Sequence, residues 1–275
     1  MDIVEAVFLG LLQGLTEFFP VSSSGHLVLA QSILGIGAEG ALFFDVMLHA
    51  GTLIAVFAVF WKDLVGLFKP PFKKLALLAL ASVPAAVAGF LLSGTLDRLF
   101  AGGGGILLSF MFLLTAALLF TTEIISSRRS SDTGERSNVS GAVTQNGNVG
   151  FKTAAIMGLA QAVAVIPGLS RSGTTICAGV LSGAKREKAA KFSFFMSVPI
   201  ILGSALYSLI KGGSEAFKAV SPAAVAAGMI AAAFAGFFAI KLMLKLISKS
   251  NYKWFALYLT ALFVITFTNY FVKFF

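Results

Sequence analysis

Glu17, Ser23 and His26 put a carboxylate, a hydroxyl and an imidazole within ten residues of one another, in the stretch Gln13-x-x-x-Glu17-x-x-Pro20-Val21-Ser22-Ser23-Ser24-Gly25-His26. These are the side chains of general acid–base and nucleophilic chemistry. On a helix Gln13 and Glu17 share one face at i,i+4. The serines then open a further half-helix, where hydroxyls and free backbone N–H groups either cap the helix or hold an anion. A second cluster, Pro167-Gly168-Leu169-Ser170-Arg171-Ser172-Gly173-Thr174-Thr175, sets a guanidinium among hydroxyls at another helix start. Its planar, permanently charged fork suits the tetrahedral oxygens of a phosphate. Structural roles stand beside these: serines that only cap, a His26 hydrogen-bonded in the interior, an Arg171 that only pairs with Glu17.

The two clusters are copies of one another. Residues 6–35 align without a gap onto 154–183 at an offset of 148, so that Gly10, Gln13, Ser22, Ser24 and Gly25 recur as Gly158, Gln161, Ser170, Ser172 and Gly173. Gln161 is expected to hydrogen-bond across the symmetry axis rather than react. Asp45 and His49, one turn apart in the first long apolar stretch, could line the same cavity.

The surroundings are lipid-like. With 57% hydrophobic and 12% charged residues and a mean hydropathy of +0.91, the chain lies outside the soluble class, which runs nearer a quarter charged. Polar clusters within such segments are expensive and mark function. One cysteine excludes an internal disulfide, and two histidines beside it leave no zinc or haem ligand set. The N-terminus has no basic region of the kind that opens a signal peptide, so it is expected to be retained.

Apolar stretches of about 20 residues, enough to cross a bilayer, occur near 41–61, 72–92, 105–125, 189–210, 220–247 and 254–272. The two repeat segments are each interrupted at mid-length by Pro, Gly and Ser, so each half is too short to cross and reads as a re-entrant helix-loop-helix. Charge agrees with that topology. One side receives Lys62, Lys69, Lys73 and Lys74, then Arg128, Arg129, Arg136 and Lys152, then Lys185, Arg186, Lys188 and Lys191, then Lys245, Lys249 and Lys253; the other receives only Arg98, Lys211, Lys218 and Lys273. The positive-inside rule makes the first side cytoplasmic, puts both termini outside, and accounts for the net charge of +9 without nucleic acid. Three spans separate the copies, so the repeats are inverted.

The expected architecture is an all-α polytopic membrane protein with six transmembrane helices plus two re-entrant pairs. Residues 1–125 form the first half with its re-entrant pair at 2–36, 126–150 a flexible cytoplasmic linker, and 151–275 the second half with its pair at 151–183. Two rival functions fit parts of this: a secondary transporter built on inverted repeats, and a type 2 phosphatidic acid phosphatase, whose Ser-Gly-His element appears at Ser24-Gly25-His26. The first needs no nucleophile and base beside the clamp. The second needs a histidine downstream of Arg171, and none follows it.

The motifs Gln13-x-x-x-Glu17, Pro20-Val21-Ser22-Ser23-Ser24-Gly25-His26 and Pro167-Gly-x-Ser170-Arg171-Ser172-Gly173-x-Thr175 resemble those of the undecaprenyl pyrophosphate phosphatases, also called bacitracin-resistance proteins, and the likeness runs along essentially the whole chain. It implies an enzyme of the bacterial plasma membrane that hydrolyses undecaprenyl diphosphate to undecaprenyl phosphate and inorganic phosphate. That reaction recycles the lipid carrier of cell-wall synthesis. Bacitracin would compete for the lipid rather than bind the protein, and room is left for a homo-oligomer. The resemblance makes Glu17 the essential carboxylate, Ser23 or His26 the attacking or proton-transferring group, and Arg171 the clamp. Gln13, Ser22, Ser24, Gly25, Ser170, Ser172, Gly173 and Thr175 would hold substrate. It also implies a divalent cation, Mg²⁺ or Ca²⁺, at Glu17, although Gln13 stands where a second carboxylate would strengthen such a site.

Overall fold

Both interrupted segments break where Pro, Gly and Ser demand it. In the computed structural model, which describes residues 1–37, 40–101, 105–132, 147–247 and 251–273, with side chains left out at 96–101, 129–132 and 211–219, α1 (Ile3–Glu17) stops short of Pro20 and α2 (Ser23–Leu34) restarts after it. Asp2 and Glu5 close a reciprocal capping box at the start of α1, each side chain 2.8 Å from the other's backbone nitrogen. Gly35, at φ 67°, ends α2 in the left-handed conformation that glycine adopts at least cost. The second segment repeats the pattern: α6 (Phe151–Val163) and α7 (Arg171–Leu181) flank the Pro167–Ser170 turn.

The other helices are α3 (Ala41–Val65), α4 (Lys73–Ala101), α5 (Gly105–Asp132), α8 (Arg186–Ala219), α9 (Pro222–Ile247) and α10 (Lys253–Val272), with one 3₁₀ turn at Gly66–Phe68. The described residues contain ten α-helices and no strand. Six helical segments, Ala41–Phe68, Lys73–Thr95, Gly105–Arg128, Arg186–Ile210, Pro222–Ile247 and Lys253–Val272, are long and apolar enough to cross a membrane, and each coincides with an expected span. This is a multi-pass membrane protein. Val4, Phe90, Leu91, Ile210, Ile230 and Trp254 are 70–77% exposed on its outer surface, an apolar display that suits lipid rather than water. Polar side chains turn inward instead: Gln13, Glu17, Ser22, Ser23, Ser170, Ser172 and Thr175 are all buried.

Small residues set how closely the broken helices approach their neighbours. α1 packs along α9, and a Cβ on Gly10 would lie 2.3 Å from the Gly228 carbonyl oxygen. α6 packs along α4, and a Cβ on Gly158 would lie 2.7 Å from the Ala81 carbonyl oxygen. Without a hydrophobic drive between helices in lipid, such close backbone contact is what holds them. Further contacts pair α3 with α9, α4 with α8, α3 with α8 and α5 with α10, and others join α1 to α2 and α3, α7 to α5, α6 and α8, and α8 to α9.

The expected linker begins later than the end of the apolar run. α5 continues through Asp132, because apolarity marks where lipid ends and not where a helix must stop; residues 133–146 lie outside the described residues.

Candidate active site

Glu17 closes the last turn of α1, where the i,i+4 spacing brings the Gln13 amide onto its carboxylate: Gln13 Nε2 donates to Glu17 Oε2 at 2.9 Å. The chain then reverses, and Ser22 sits at φ 69°, ψ 87°, left-handed for a residue that carries a Cβ. Its Oγ accepts from the Gly25 nitrogen at 3.3 Å and caps α2. Ser23, the first residue of α2, thereby points back at α1, and its hydroxyl donates to Glu17 Oε2 at 2.6 Å. Gly25 permits the approach of α5, since a Cβ there would meet the Phe112 ring at 2.7 Å.

The other turn is capped in the same way. Ser170 Oγ accepts from the Gly173 nitrogen at 3.0 Å, and Ser172 Oγ lies 3.3 Å from Ser170 Oγ. Arg171, the first residue of α7, hydrogen-bonds through Nη2 to Glu17 Oε1. Two further bonds join the turns: Ser172 Oγ donates to the Phe19 carbonyl at 2.8 Å, and the Gly168 nitrogen donates to Ser24 Oγ at 3.4 Å. Thr175 sits one turn along α7, bonding the Arg171 carbonyl at 2.8 Å and the Ser193 hydroxyl at 2.7 Å, a helix-to-helix tie away from the carboxylate.

Glu17 is thus fully dressed, with a guanidinium on one oxygen and a hydroxyl and an amide on the other. The burial of a charge is tolerable only with such pairing. A hydroxyl within hydrogen-bond reach of a carboxylate is the geometry of a nucleophile beside its base. Arg171 Nη1 is also buried and has no hydrogen-bond partner among the described residues, leaving an unspent donor next to the reactive pair. A phosphate oxygen would satisfy it.

His26 does not join Ser23. Its Nδ1 lies 2.7 Å from the Ser22 carbonyl and its Nε2 2.7 Å from the Tyr258 hydroxyl, with the two rings stacked at 5.7 Å. The imidazole that reaches the carboxylate is His49, whose Nε2 is 3.5 Å from Glu17 Oε2. Asp45, one turn earlier, is instead held by Gln31 Nε2 at 2.7 Å. Gln161 departs from expectation: it is buried, and among the described residues neither its amide oxygen nor its nitrogen has a hydrogen-bond partner. Tyr258 and Phe112 had no sequence signal, since their roles come only from how α10 and α5 pack on the motifs.

Among the described residues no group of three His, Cys, Asp or Glu side chains could hold a metal. What the site offers is Glu17 and the buried, unpartnered Oε1 of Gln13. With one carboxylate already holding Arg171, Ser23 and Gln13, a hard cation here would have to draw most of its oxygens from a phosphorylated ligand and water, as Mg²⁺ does.

The family described as bacitracin resistance protein BacA matches residues 6–265. Curated relatives named undecaprenyl-diphosphatase include a protein of Methanosphaera stadtmanae, 36% identical over 97% of each chain. One of Methanobrevibacter smithii is 38% identical and one of Christiangramia forsetii 39% identical, each over 94% of both chains.

Proposed function

This chain belongs to the BacA bacitracin-resistance family, and from that premise we propose that it is an integral membrane phosphatase that hydrolyses undecaprenyl diphosphate to undecaprenyl phosphate and inorganic phosphate. The relatives' name supplies the substrate. The observation that carries the chemistry is Ser23 Oγ on one oxygen of Glu17 with Arg171 on the other.

Ser23 Oγ attacks the terminal phosphorus as its proton passes to Glu17. The bond from that phosphorus to the bridging oxygen breaks, and its electron pair leaves with undecaprenyl phosphate. Arg171, through the unspent Nη1, holds the charge that spreads over the transferring phosphoryl oxygens. Water then attacks the phosphoserine, the Oγ–P bond breaks, and Oγ regains a proton. Ser22, Ser24, Ser170 and Ser172 with Gly25 and Gly173 shape the two capped turns around that phosphate, and Thr175 braces α7. His26 shapes the α2 turn and holds Tyr258. A Mg²⁺ or Ca²⁺ ion at Glu17 and Gln13 Oε1 would add charge neutralisation on the diphosphate.

We read the two broken helix pairs as re-entrant and the halves as inverted repeats. In support, α1, α2, α6 and α7 have 15, 12, 13 and 11 residues, so at about 1.5 Å per residue none reaches the ~30 Å of a bilayer core. Exchanging the halves maps the α1–α9 contact onto α6–α4 and α3–α9 onto α8–α4, and returns α3–α8 and α5–α10 to themselves. With the basic loops inside, both termini face the exterior of the plasma membrane, and phosphate leaves on the outer face, where the Ser23 turn is anchored. Bacitracin resistance follows when abundant enzyme clears the lipid that bacitracin sequesters.

Phosphate release from undecaprenyl diphosphate by purified protein in detergent, with and without EDTA, tests the reading. Expected are release by wild type, its loss with chelator, and its loss in Glu17→Ala. No release by well-folded wild type would leave a transporter or binding protein built on the same repeats.

A further inference from the structure

We propose that Gln31 and Asp45 are the positioning pair of the nucleophile: the hydrogen bond between them fixes α2 against α3 at the rotation that turns Ser23 Oγ towards Glu17. The inference rests on the phosphatase reading and adds two residues to it. Asp45 is a buried carboxylate inside a spanning helix, an expensive placement that needs a purpose. Among the described residues no cation pairs with it. The one hydrogen bond its side chain takes there comes from Gln31 Nε2 at 2.7 Å, and Gln31 is buried as well.

α2 needs such a fixture. Among the described residues its backbone runs beside α1 and not beside α3, and its Leu27 and Ala30 share only an apolar cluster with Phe44 and Leu48 of α3. Apolar contact is non-directional and leaves the helix free to turn about its axis. Ser24 and His26 tie the near end of α2 to the second turn and to α10. Beyond His26, the bond from Gln31 is the one side-chain hydrogen bond from α2 to another helix among the described residues. Gln31 lies two turns after Ser23, about 12 Å along the axis at ~1.5 Å per residue, and so gives the second fixed point that a rigid rod requires. Ser23 Oγ is 2.6 Å from Glu17 Oε2, and a displacement of about 1 Å costs on the order of 10²-fold in rate.

The second half holds its own arm at the matching place. Ser193 of α8 lies 148 residues after Asp45, the offset of the repeat, and bonds Thr175 of α7 at 2.7 Å. Gly179, at the repeat position of Gln31, brings α7 directly against α8: a Cβ there would lie 2.9 Å from the Ala189 Cβ. The clamp helix is thus held by close packing and a short tie, the nucleophile helix by one long amide reaching across to α3. Gln31 Nε2 donates to Asp45 Oδ1, so an acceptor oxygen is all that the bond requires of position 45. The pair touches no reacting atom and acts through Ser23.

The experiment is steady-state phosphate release from undecaprenyl diphosphate, read as KM and as kcat per folded molecule, for wild type, Gln31→Leu, Asp45→Leu and Asp45→Asn, with Gln31→Leu repeated in Ser23→Ala. Expected for Gln31→Leu and Asp45→Leu is a loss of about 10-fold or more in kcat, with KM within about threefold. Asp45→Asn keeps the acceptor and should stay within about threefold of wild type. In Ser23→Ala, adding Gln31→Leu should leave the residual turnover unchanged, because no hydroxyl remains to be misplaced; a general loosening of the fold would lower it further. Wild-type kcat in Gln31→Leu, a loss of about 10-fold or more in Asp45→Asn, or a further loss in the Ser23→Ala background would each overturn the proposal while leaving the phosphatase standing. Should Asp45→Leu fail to fold, Gln31→Leu and Asp45→Asn decide without it. Absence of release by wild type would overturn both readings.

Discussion

Ser23 and Arg171 occupy the same position in the two copies of the repeat, the first residue of a short helix behind a capping serine. They reach the same carboxylate from opposite sides, a hydroxyl on Oε2 and a guanidinium on Oε1. The scaffold around them is shared: Ser22 caps Gly25 as Ser170 caps Gly173. At the cap itself the differences are the side chain that follows it and the backbone conformation of the capping serine. Ser22 is at φ 69°, whereas Ser170 is extended at φ −64°, with Gly168 at φ 84° taking the left-handed step in its turn. A duplicated cap has thus been divided into a reactive arm and an electrostatic arm. In a buried site, where paired charges are tolerated and lone ones are not, that division supplies both halves of a phosphoryl-transfer centre.

The largest effects should come from removing each arm, and their forms should differ. Ser23→Ala removes the nucleophile but leaves Glu17 and its guanidinium paired, so kcat should drop by about 10³-fold or more with KM little changed. Arg171→Ala removes the clamp and also strands a buried carboxylate, so kcat should drop as far while KM rises by about tenfold or more. Steady-state phosphate release against lipid concentration separates them. A Ser23→Ala protein that keeps more than about a tenth of wild-type turnover would mean that water, not the hydroxyl, attacks.

The division of labour was partly legible. Proline, glycine and serine are local punctuation, so the breaks at Pro20–Gly25 and Pro167–Gly173 stood out, and hydropathy found all six spanning segments. The pairing of Glu17 with Arg171 was open to the sequence only as the structural alternative to a phosphate clamp. Histidine was harder. His26 lies inside the motif, yet its ring is taken by the carbonyl one turn back and by Tyr258, some 232 positions away in the chain. His49 lies outside the motif and reaches Glu17 only because α3 packs beside α1. Sequence proximity favoured the first, and packing selected the second. Gln161 shows the same limit: the repeat assigned it the place of Gln13, but no acceptor like Glu17 stands one turn on, where Val165 lies.

An intermediate effect is expected at the glycines that seat the two arms. A Cβ at position 10 would collide with the Gly228 carbonyl oxygen at 2.3 Å, and one at position 158 with the Ala81 carbonyl oxygen at 2.7 Å. Both obstacles are backbone, so a helix must move. Gly10→Ala and Gly158→Ala should each destabilise the protein by about 1–3 kcal/mol, Gly10→Ala the more, measured by thermal unfolding in detergent. Gly10→Ala should also lower turnover, because Gln13 and Glu17 ride on the helix that shifts. Equal stability of wild type and both variants would mean that these crossings are loose.

The smallest effect should be opposite in sign between the two turns. Replacing a capping serine by glycine costs only a few tenths of a kcal/mol, because glycine is itself a fair N-cap. At Ser170, where the backbone is extended, nothing offsets that loss or the loss of the Ser172 contact, and Ser170→Gly should lower the unfolding temperature by about 1–2 °C. At Ser22 the same loss is offset by relief of a left-handed conformation that costs a side chain about 1 kcal/mol. Ser22→Gly should therefore unfold at the wild-type temperature or about 1–2 °C above it. Its turnover should nevertheless fall severalfold, since a glycine hinge before Ser23 would let the nucleophile wander from Glu17. Unfolding temperatures that fall equally in both variants would show that the Ser22 conformation carries no strain, and the two turns would then differ in chemistry alone.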